Sequence, residues 1–338
     1  MKKQLLIAAV AATMTSVAFA DISISGSANI KMGGSDTYNM SDSSALESLS
    51  QNMDLEFTGK SGATSVHAHI DVDNTGTATS NINVDKLWMQ TAIGSVNVKA
   101  GDYSSCTGMV EGIVACGTTG DALGLSTTIG GATVGATLTS GDNTSAKKVF
   151  TAKGDIAGMN VAVRYDGDDD TTDTDADNST LDIAVKGSVA GVDLYVEHMA
   201  RDLANADATM IAASTEVAGG TVSVASFEAD TAGMAMNNGD IRPLGTSLVG
   251  DFHTAILGSL ATVKDFKGIG FNTSVAGNTV NVVAFDYDTS SVNDMKGTDV
   301  VVTRALASGA TLTANYGTVE TSASADTAVY GAQLSVKF

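Results

Sequence analysis

Residues 22 to 32 read Ile-Ser-Ile-Ser-Gly-Ser-Ala-Asn-Ile-Lys-Met, with apolar or small side chains at every even position and polar side chains at every odd one. An alternation with a period of two predicts a β-strand with one apolar and one polar face. A run of about 10 residues is long enough to cross a bilayer at a tilt. The stretch therefore predicts a transmembrane strand.

The same alternation recurs along the chain. Met53, Leu55 and Phe57 alternate with polar neighbours, residues 66–73 do the same, and the turn Lys60-Ser61-Gly62 joins the two segments. Seven more short turns between alternating runs lie at Ile93-Gly94, Gly130-Gly131, Ala157-Gly158, Ala190-Gly191, Ala218 to Gly220, Ala276-Gly277 and Ser308-Gly309. These features predict a series of eight β-hairpins.

The connections between the hairpins are longer and polar, so short and long connections alternate. That order is typical of an outer-membrane barrel with short periplasmic turns and long external loops. Eight hairpins with a first and a last strand make 18 strands. We therefore predict an all-β fold, a transmembrane antiparallel β-barrel of 16–18 strands, with 18 from the hairpin count and 16 as the alternative.

Composition and charge narrow the class. The formal net charge of −20 argues against nucleic acid as a partner, because binding phosphate requires an excess of Lys and Arg. Only 5% of the residues are aromatic and 36 are glycine, a poor supply of large side chains for one core in a soluble chain of this length. The apolar side chains are better suited to face lipid.

The first 20 residues have the pattern of a secretory signal peptide. Lys2 and Lys3 precede an apolar stretch, and Ala18-Phe19-Ala20 places small residues before Asp21. The apolar stretch is too short to span a bilayer, which needs about 20 residues. We predict a signal peptide over 1–20 and the barrel over 21–338, in the outer membrane after export to the periplasm.

The C-terminal residues carry a family resemblance. Tyr330, Leu334, Val336 and Phe338 share one parity, and this alternating strand with a terminal Phe looks like the assembly signal of outer-membrane proteins. The turns in Ala92 to Val96 and in Leu306 to Leu312, with the rhythm of hairpins, resemble Gram-negative general porins, especially those of alphaproteobacteria. Those porins usually have 16 strands, two fewer than the hairpin count.

This resemblance implies several partners and a function. Porins of this kind are usually homotrimers, lie among outer-membrane lipid and lipopolysaccharide, are inserted by the barrel assembly machinery and pass small hydrophilic solutes. The interior of a barrel with 16 to 18 strands is too wide for side chains to fill. We expect a water-filled diffusion channel for ions and small hydrophilic solutes, weakly cation-selective because the chain is acidic.

In the porin family the third long loop folds inward and narrows the pore, and 101–121 is the matching segment. The resemblance implies a pore constriction in which Asp102, Glu111 and Asp121 face the basic residues Lys31, Lys99 and Arg164 of the wall. Opposed charges would produce a transverse field that sorts solutes by charge and dipole. The alternative is that these charged groups are solvated and have no filter role.

Cys106 and Cys116 are the two cysteines of the chain, and both lie in this loop. In an oxidising compartment we expect a disulfide between them, worth up to roughly 3 kcal/mol. Two free thiols or a metal site are the alternatives.

No metal site or cofactor is expected. Asp166, Asp168 and Asp170 offer the oxygen ligands that calcium prefers, but without the spacing of a known calcium loop. His67 and His69 point to one side of their strand, where a wet lumen accommodates them without a metal. Trp88 is the single tryptophan; its face is ambiguous from the pattern, and an anchor at the membrane interface is the favoured interpretation.

Catalytic motifs do not stand out in the sequence, and we predict that the chain is not an enzyme. Two other functions stay open. A substrate-selective channel would carry an aromatic track or a basic cluster in its lumen. An exported surface-layer or adhesin protein would share the acidity but would not need Phe338.

Overall fold

The computed structural model describes residues 21–35, 50–74, 81–104, 118–140, 146–167, 179–202, 206–230, 263–289, 294–321 and 324–338. No helix in these ranges is long and apolar enough to cross a membrane. The described strands form a single antiparallel sheet in which they follow one another in chain order.

 Described in that order, the strands are β1 (Asp21–Ser35), β2 (Ser50–Ser61), β3 (Thr64–Asn74), β4 (Asn81–Ile93), β5 (Val96–Ser104), β6 (Thr118–Ile129), β7 (Ala132–Ser140), β8 (Ala146–Ile156), β9 (Met159–Gly167), β10 (Thr180–Val189), β11 (Val192–Arg201), β12 (Ala206–Val217), β13 (Gly220–Ala229), β14 (Val263–Val275), β15 (Asn278–Thr289), β16 (Asp294–Ala305), β17 (Ala310–Thr321) and β18 (Ser324–Lys337).

The sheet closes on itself, because β1 pairs with both β2 and β18. At the seam Lys31 lies opposite Gln333, and Gly26 exchanges two backbone hydrogen bonds with Phe338, at 2.8 and 3.0 Å. A closed sheet has no edge strand, so its backbone groups are paired around the whole circumference. The predicted all-β barrel is confirmed, and its strand number is 18, as the hairpin count gives.

The distribution of apolar and polar side chains over the two faces of the sheet is the reverse of that in a soluble protein. Large apolar side chains are exposed on the outer face of most strands, among them Ile24, Ile30, Ile211 and Ile269. Their sequence neighbours on the inner face include polar residues such as Ser25 and Asn29. An apolar surface of this extent is stable against a hydrocarbon medium and not against water.

Part of the inner face is filled. On β11 to β15 the side chains that alternate with this outer belt are large, apolar and almost fully buried: Tyr195, Met199, Met210, Phe227, Phe266 and Phe285. Smaller buried side chains continue this pattern on β9, β10 and β17, at Ala162, Ala184 and Val319, and we call β9 to β17 the buried arc. The sequence analysis predicted a polar interior too wide for side chains to fill, and on this arc the interior is packed instead.

Four of the short turns place an alanine in the left-handed region. The φ values are +54° for Ala157, +51° for Ala190, +52° for Ala218 and +50° for Ala276, and each alanine is followed by a glycine that also has a positive φ. Two consecutive positive φ angles define the type I′ turn, whose twist matches that of the flanking strands. The first of these positions favours Asn or Gly over Ala.

Replacing Ala190 with glycine is therefore expected to stabilise the barrel, by about 0.5 to 1 kcal/mol, because the strain on the β-carbon is removed. Unfolding in urea, followed by gel mobility of the folded and unfolded forms, measures the change. Ala63→Gly is the matched control, because Ala63 follows the positive-φ residue Gly62 without sharing that conformation. Equal stabilisation by both substitutions would contradict the explanation.

Candidate functional site

The inner faces of β1 to β5 carry a strip of polar side chains that are open to solvent. We call this surface the inner strip. Its acidic members Asp54, Asp71 and Asp85 have side-chain exposures of 34%, 27% and 29%. On the buried arc, by contrast, Glu197 and Asp299 are fully buried. The carboxylates of the inner strip are therefore in contact with solvent, whereas Glu197 and Asp299 are not.

Two clusters lie on the inner strip. The first, the carboxylate–histidine cluster, consists of Asp54, His69, Asp71, Asp85 and Lys86. The hairpin register places Asp54 directly opposite Asp71, and His69 opposite Lys86. His69 Nε2 lies 3.5 Å from Asp54 Oδ1 and 3.9 Å from Asp71 Oδ1, and His69 Nδ1 lies 3.2 Å from Asp85 Oδ2.

The second, the aromatic–lysine cluster, consists of His67, Trp88, Lys99 and Tyr103. The rings of His67 and Trp88 stack with centroids 3.8 Å apart and planes inclined by 14°. Lys99 Nζ lies 4.0 Å from the centroid of the Trp88 ring and 4.2 Å from that of Tyr103. An ammonium group between two aromatic rings is held by cation–π attraction to both.

β4 contributes side chains to both clusters and contains a β-bulge. The register shifts between His69 and Ile70, so that Lys86 pairs with His69 while Val84 pairs with Ile70, and Asp85 is the extra residue. Because of this extra residue Asp85, Lys86 and Trp88 all contribute to the inner strip. The favoured interpretation of Trp88 as an anchor at the membrane interface is not what the structure shows, since its ring stacks on His67 of the inner face.

The structure places the predicted constriction residues at separate points. Lys99 lies in the aromatic–lysine cluster, and Lys31 lies on β1, opposite Ser50 and Gln333. Arg164 lies on the buried arc, where its Nη2 donates to Asp166 Oδ2 at 3.0 Å. The three basic residues do not form one group.

The predicted acidic residues lie elsewhere. Asp102 is opposite Asp121 in the register. Asp121 shares its parity with the exposed outer residues Leu123 and Leu125, so the strand alternation puts it on the outer face. Glu111 lies outside the described residues. Three acidic residues that the structure brings together on the inner strip, Asp54, Asp71 and Asp85, were not selected by the sequence analysis.

Other predicted features also fall outside the described residues. They are the cysteines Cys106 and Cys116, most of the loop 101–121, the acidic residues Asp168 and Asp170, and the signal peptide at 1–20. The disulfide, the inward fold of the loop and the signal peptide stay predictions, and the calcium alternative at the acidic residues is untested. Asp166, the third calcium candidate, is paired with Arg164.

No family model and no curated protein matches this chain. Solved structures do. A variant of the Rhodopseudomonas blastica porin is 14% identical, with a TM-score of 0.55, and the match covers 94% of this chain and 100% of that one. OccK10 of Pseudomonas aeruginosa is 11% identical, with a TM-score of 0.64, and the match covers 94% of this chain and 99% of that one. The chain has the fold of Gram-negative porins.

Proposed function

We propose that this chain forms a water-filled channel in the outer membrane of a Gram-negative bacterium, through which ions and small hydrophilic solutes diffuse. The observation that carries the proposal is the pairing of a closed barrel, apolar outside, with a solvent-open polar strip inside. Transport of this kind needs no bound group and no chemical step, so the proposal is a channel and not an enzyme.

The passage follows the inner strip. Many inward side chains of the buried arc are almost fully buried, whereas the charged inward side chains on β2 to β4 are partly exposed to solvent. Solutes that cross the barrel would therefore pass close to the carboxylate–histidine and aromatic–lysine clusters. We propose these clusters, together with Lys31, as the part of the wall that decides which solutes pass.

A modest preference for cations is part of the proposal. On the inner faces of β1 to β5 the described acidic residues Asp21, Asp54, Glu56, Asp71 and Asp85 slightly outnumber the lysines Lys31, Lys60, Lys86 and Lys99. Lys86 lies 3.6 Å from Asp85, which offsets its charge locally. A wall with a small acidic excess raises the local concentration of cations.

We also propose that the third long loop, 101–121, forms a constriction that includes Glu111 and a disulfide between Cys106 and Cys116. We further propose that the chain carries a signal peptide and assembles as a homotrimer. Their support is the resemblance in the sequence and the porin fold.

A substrate-selective channel is the second candidate. The sequence analysis expects an aromatic track or a basic cluster in the lumen of such a channel, and the aromatic–lysine cluster supplies a short group of aromatic side chains beside one lysine. Such a channel would show a saturable block of ion current by its solute, which a general diffusion channel lacks.

Single-channel recording in a planar bilayer tests the proposal. The refolded full chain is expected to insert with discrete conductance steps, and a KCl gradient is expected to give a reversal potential of the sign for cation preference. Block of the current by sugars or small anions, recorded in the same experiment, would favour the second candidate. A heat-modifiable, membrane-inserted barrel that conducts no ions would overturn the channel proposal.

A further inference from the structure

We propose that Asp54, His69 and Asp71 bind a divalent transition-metal ion of the Zn²⁺ type on the inner strip. The proposal deepens the proposed function, because an ion reaches these side chains from solvent inside the barrel. The three residues come from the adjacent strands β2 and β3, and one ligand atom of each lies within 4.8 Å of the others.

The spacing of the ligand atoms fits a tetrahedral site. Bonds of about 2.0 to 2.1 Å to nitrogen and oxygen, at tetrahedral angles, hold two ligand atoms roughly 3.3 to 3.4 Å apart. His69 Nε2 lies 3.5 Å from Asp54 Oδ1 and 3.9 Å from Asp71 Oδ1. Small side-chain movements would bring all three atoms onto one ion, with the fourth position left to water.

Two of the ligands, His69 and Asp54, are oriented by hydrogen bonds to residues that are not ligands. His69 Nδ1 lies 3.2 Å from Asp85 Oδ2, so with an ion bound Nδ1 can donate its hydrogen to Asp85 while the Nε2 lone pair faces the ion. Ser27 donates to Asp54 Oδ2 at 3.0 Å, which directs Oδ1 toward the imidazole. Metal-binding histidines are commonly oriented by a carboxylate in this way.

The charge of the cluster suits a divalent ion. With a neutral imidazole the three carboxylates carry three negative charges, and Lys86, 3.6 Å from Asp85, supplies one positive charge. The cluster then needs about two further positive charges to be neutral. A protonated His69 would supply one of them, and it is the competing explanation for the same contacts.

The fluorescence of Trp88 can report binding directly. Trp88 is the only tryptophan of the chain and lies opposite His67 in the register. His67 is two residues from the ligand His69 on the same strand, which corresponds to about 7 Å. Co²⁺ quenches a nearby indole, whereas Zn²⁺, with its filled d shell, does not. We expect saturable, equimolar quenching of Trp88 by Co²⁺ in the unreduced barrel folded in detergent, reversed by Zn²⁺.

Two substitutions locate the site. His69→Gln is expected to weaken Co²⁺ binding at least about 10-fold, and Asp85→Asn, which keeps all three ligands, by about 10- to 100-fold. His198→Gln is the matched control, since His198 is exposed and contacts Thr209 on β12. Gel mobility confirms that each variant is folded.

Unchanged quenching in both His69→Gln and Asp85→Asn, or equal loss in His198→Gln, would overturn the proposal, as would the absence of saturable quenching in the parent barrel. The measurement does not involve conduction. Quenching in a barrel that conducts no ions would therefore refute the channel and leave the metal site standing, and a conducting barrel without quenching would do the reverse.

Discussion

Replacing Ile30 with arginine is expected to destabilise the folded barrel by about 2 to 4 kcal/mol. Ile30 lies on the outer face of β1, is 45% exposed and pairs with Leu334 across the seam. A guanidinium group at this position would replace an apolar side chain in contact with lipid. The cost arises because the charge must leave water or drag water and headgroups into the hydrocarbon.

Asn29→Arg is the matched control, because it places the same side chain one residue away on the inner face, opposite Asn52 and Ser335. There the charge meets solvent, and we expect a change in stability below about 1 kcal/mol. Urea unfolding of the barrel in lipid vesicles, followed by gel mobility, measures both variants. Equal costs for the two would show that the assignment of the faces is wrong.

Removing the three carboxylates of the carboxylate–histidine cluster is expected to abolish or reverse the cation preference. In Asp54→Asn/Asp71→Asn/Asp85→Asn the inner strip keeps two carboxylates, Asp21 and Glu56, and four lysines, Lys31, Lys60, Lys86 and Lys99, so its net charge becomes positive. Ions in a water-filled passage with low-dielectric walls respond to wall charges within about a Debye length, 8 to 10 Å. The ratio of cation to anion permeability should fall severalfold, as the reversal potential in a KCl gradient will show.

The matched control removes the same formal charge from the outer face. Asp121, Glu228 and Asp286 are exposed and share parity with outer residues, so Asp121→Asn/Glu228→Gln/Asp286→Asn should leave the permeability ratio nearly unchanged. If the control shifted the reversal potential as much as the inner triple variant, selectivity would come from the overall charge of the chain and not from the inner strip.

The fold was predictable because two local signals repeat many times. Each strand has its own alternation, and each hairpin has its own turn, such as Ala190-Gly191. An error at one position does not change the others, so the strand count could be reached from the sequence. The pairing of β1 with β18 follows from closure, which an antiparallel sheet in lipid requires.

The candidate site was less predictable, because it depends on register and on a bulge. His67 and His69 were correctly placed on one side of β3, but their cross-strand partners lie on β2 and β4. The parity of β4 changes at Asp85, so a single alternation could not place Trp88. The consecutive charged residues Asp85-Lys86 were the available signal of that change.

The buried arc was missed for another reason. Alternation distinguishes the two faces of a strand but not what lies against the inner face, and Phe227 and Phe266 alternate with outer residues just as polar residues would. Whether an inner side chain meets water or other side chains depends on contacts between distant segments, which a local pattern does not contain.

The division of the interior into a buried arc and an inner strip separates two kinds of constraint around the circumference. Substitutions at inward positions of β9 to β17 alter packing and should destabilise the barrel, whereas those on β1 to β5 alter the surface that solutes meet. Permeability could therefore diversify through a few strands while the rest of the barrel stays unchanged, and an engineered pore could be retuned on one wall without redesigning the other.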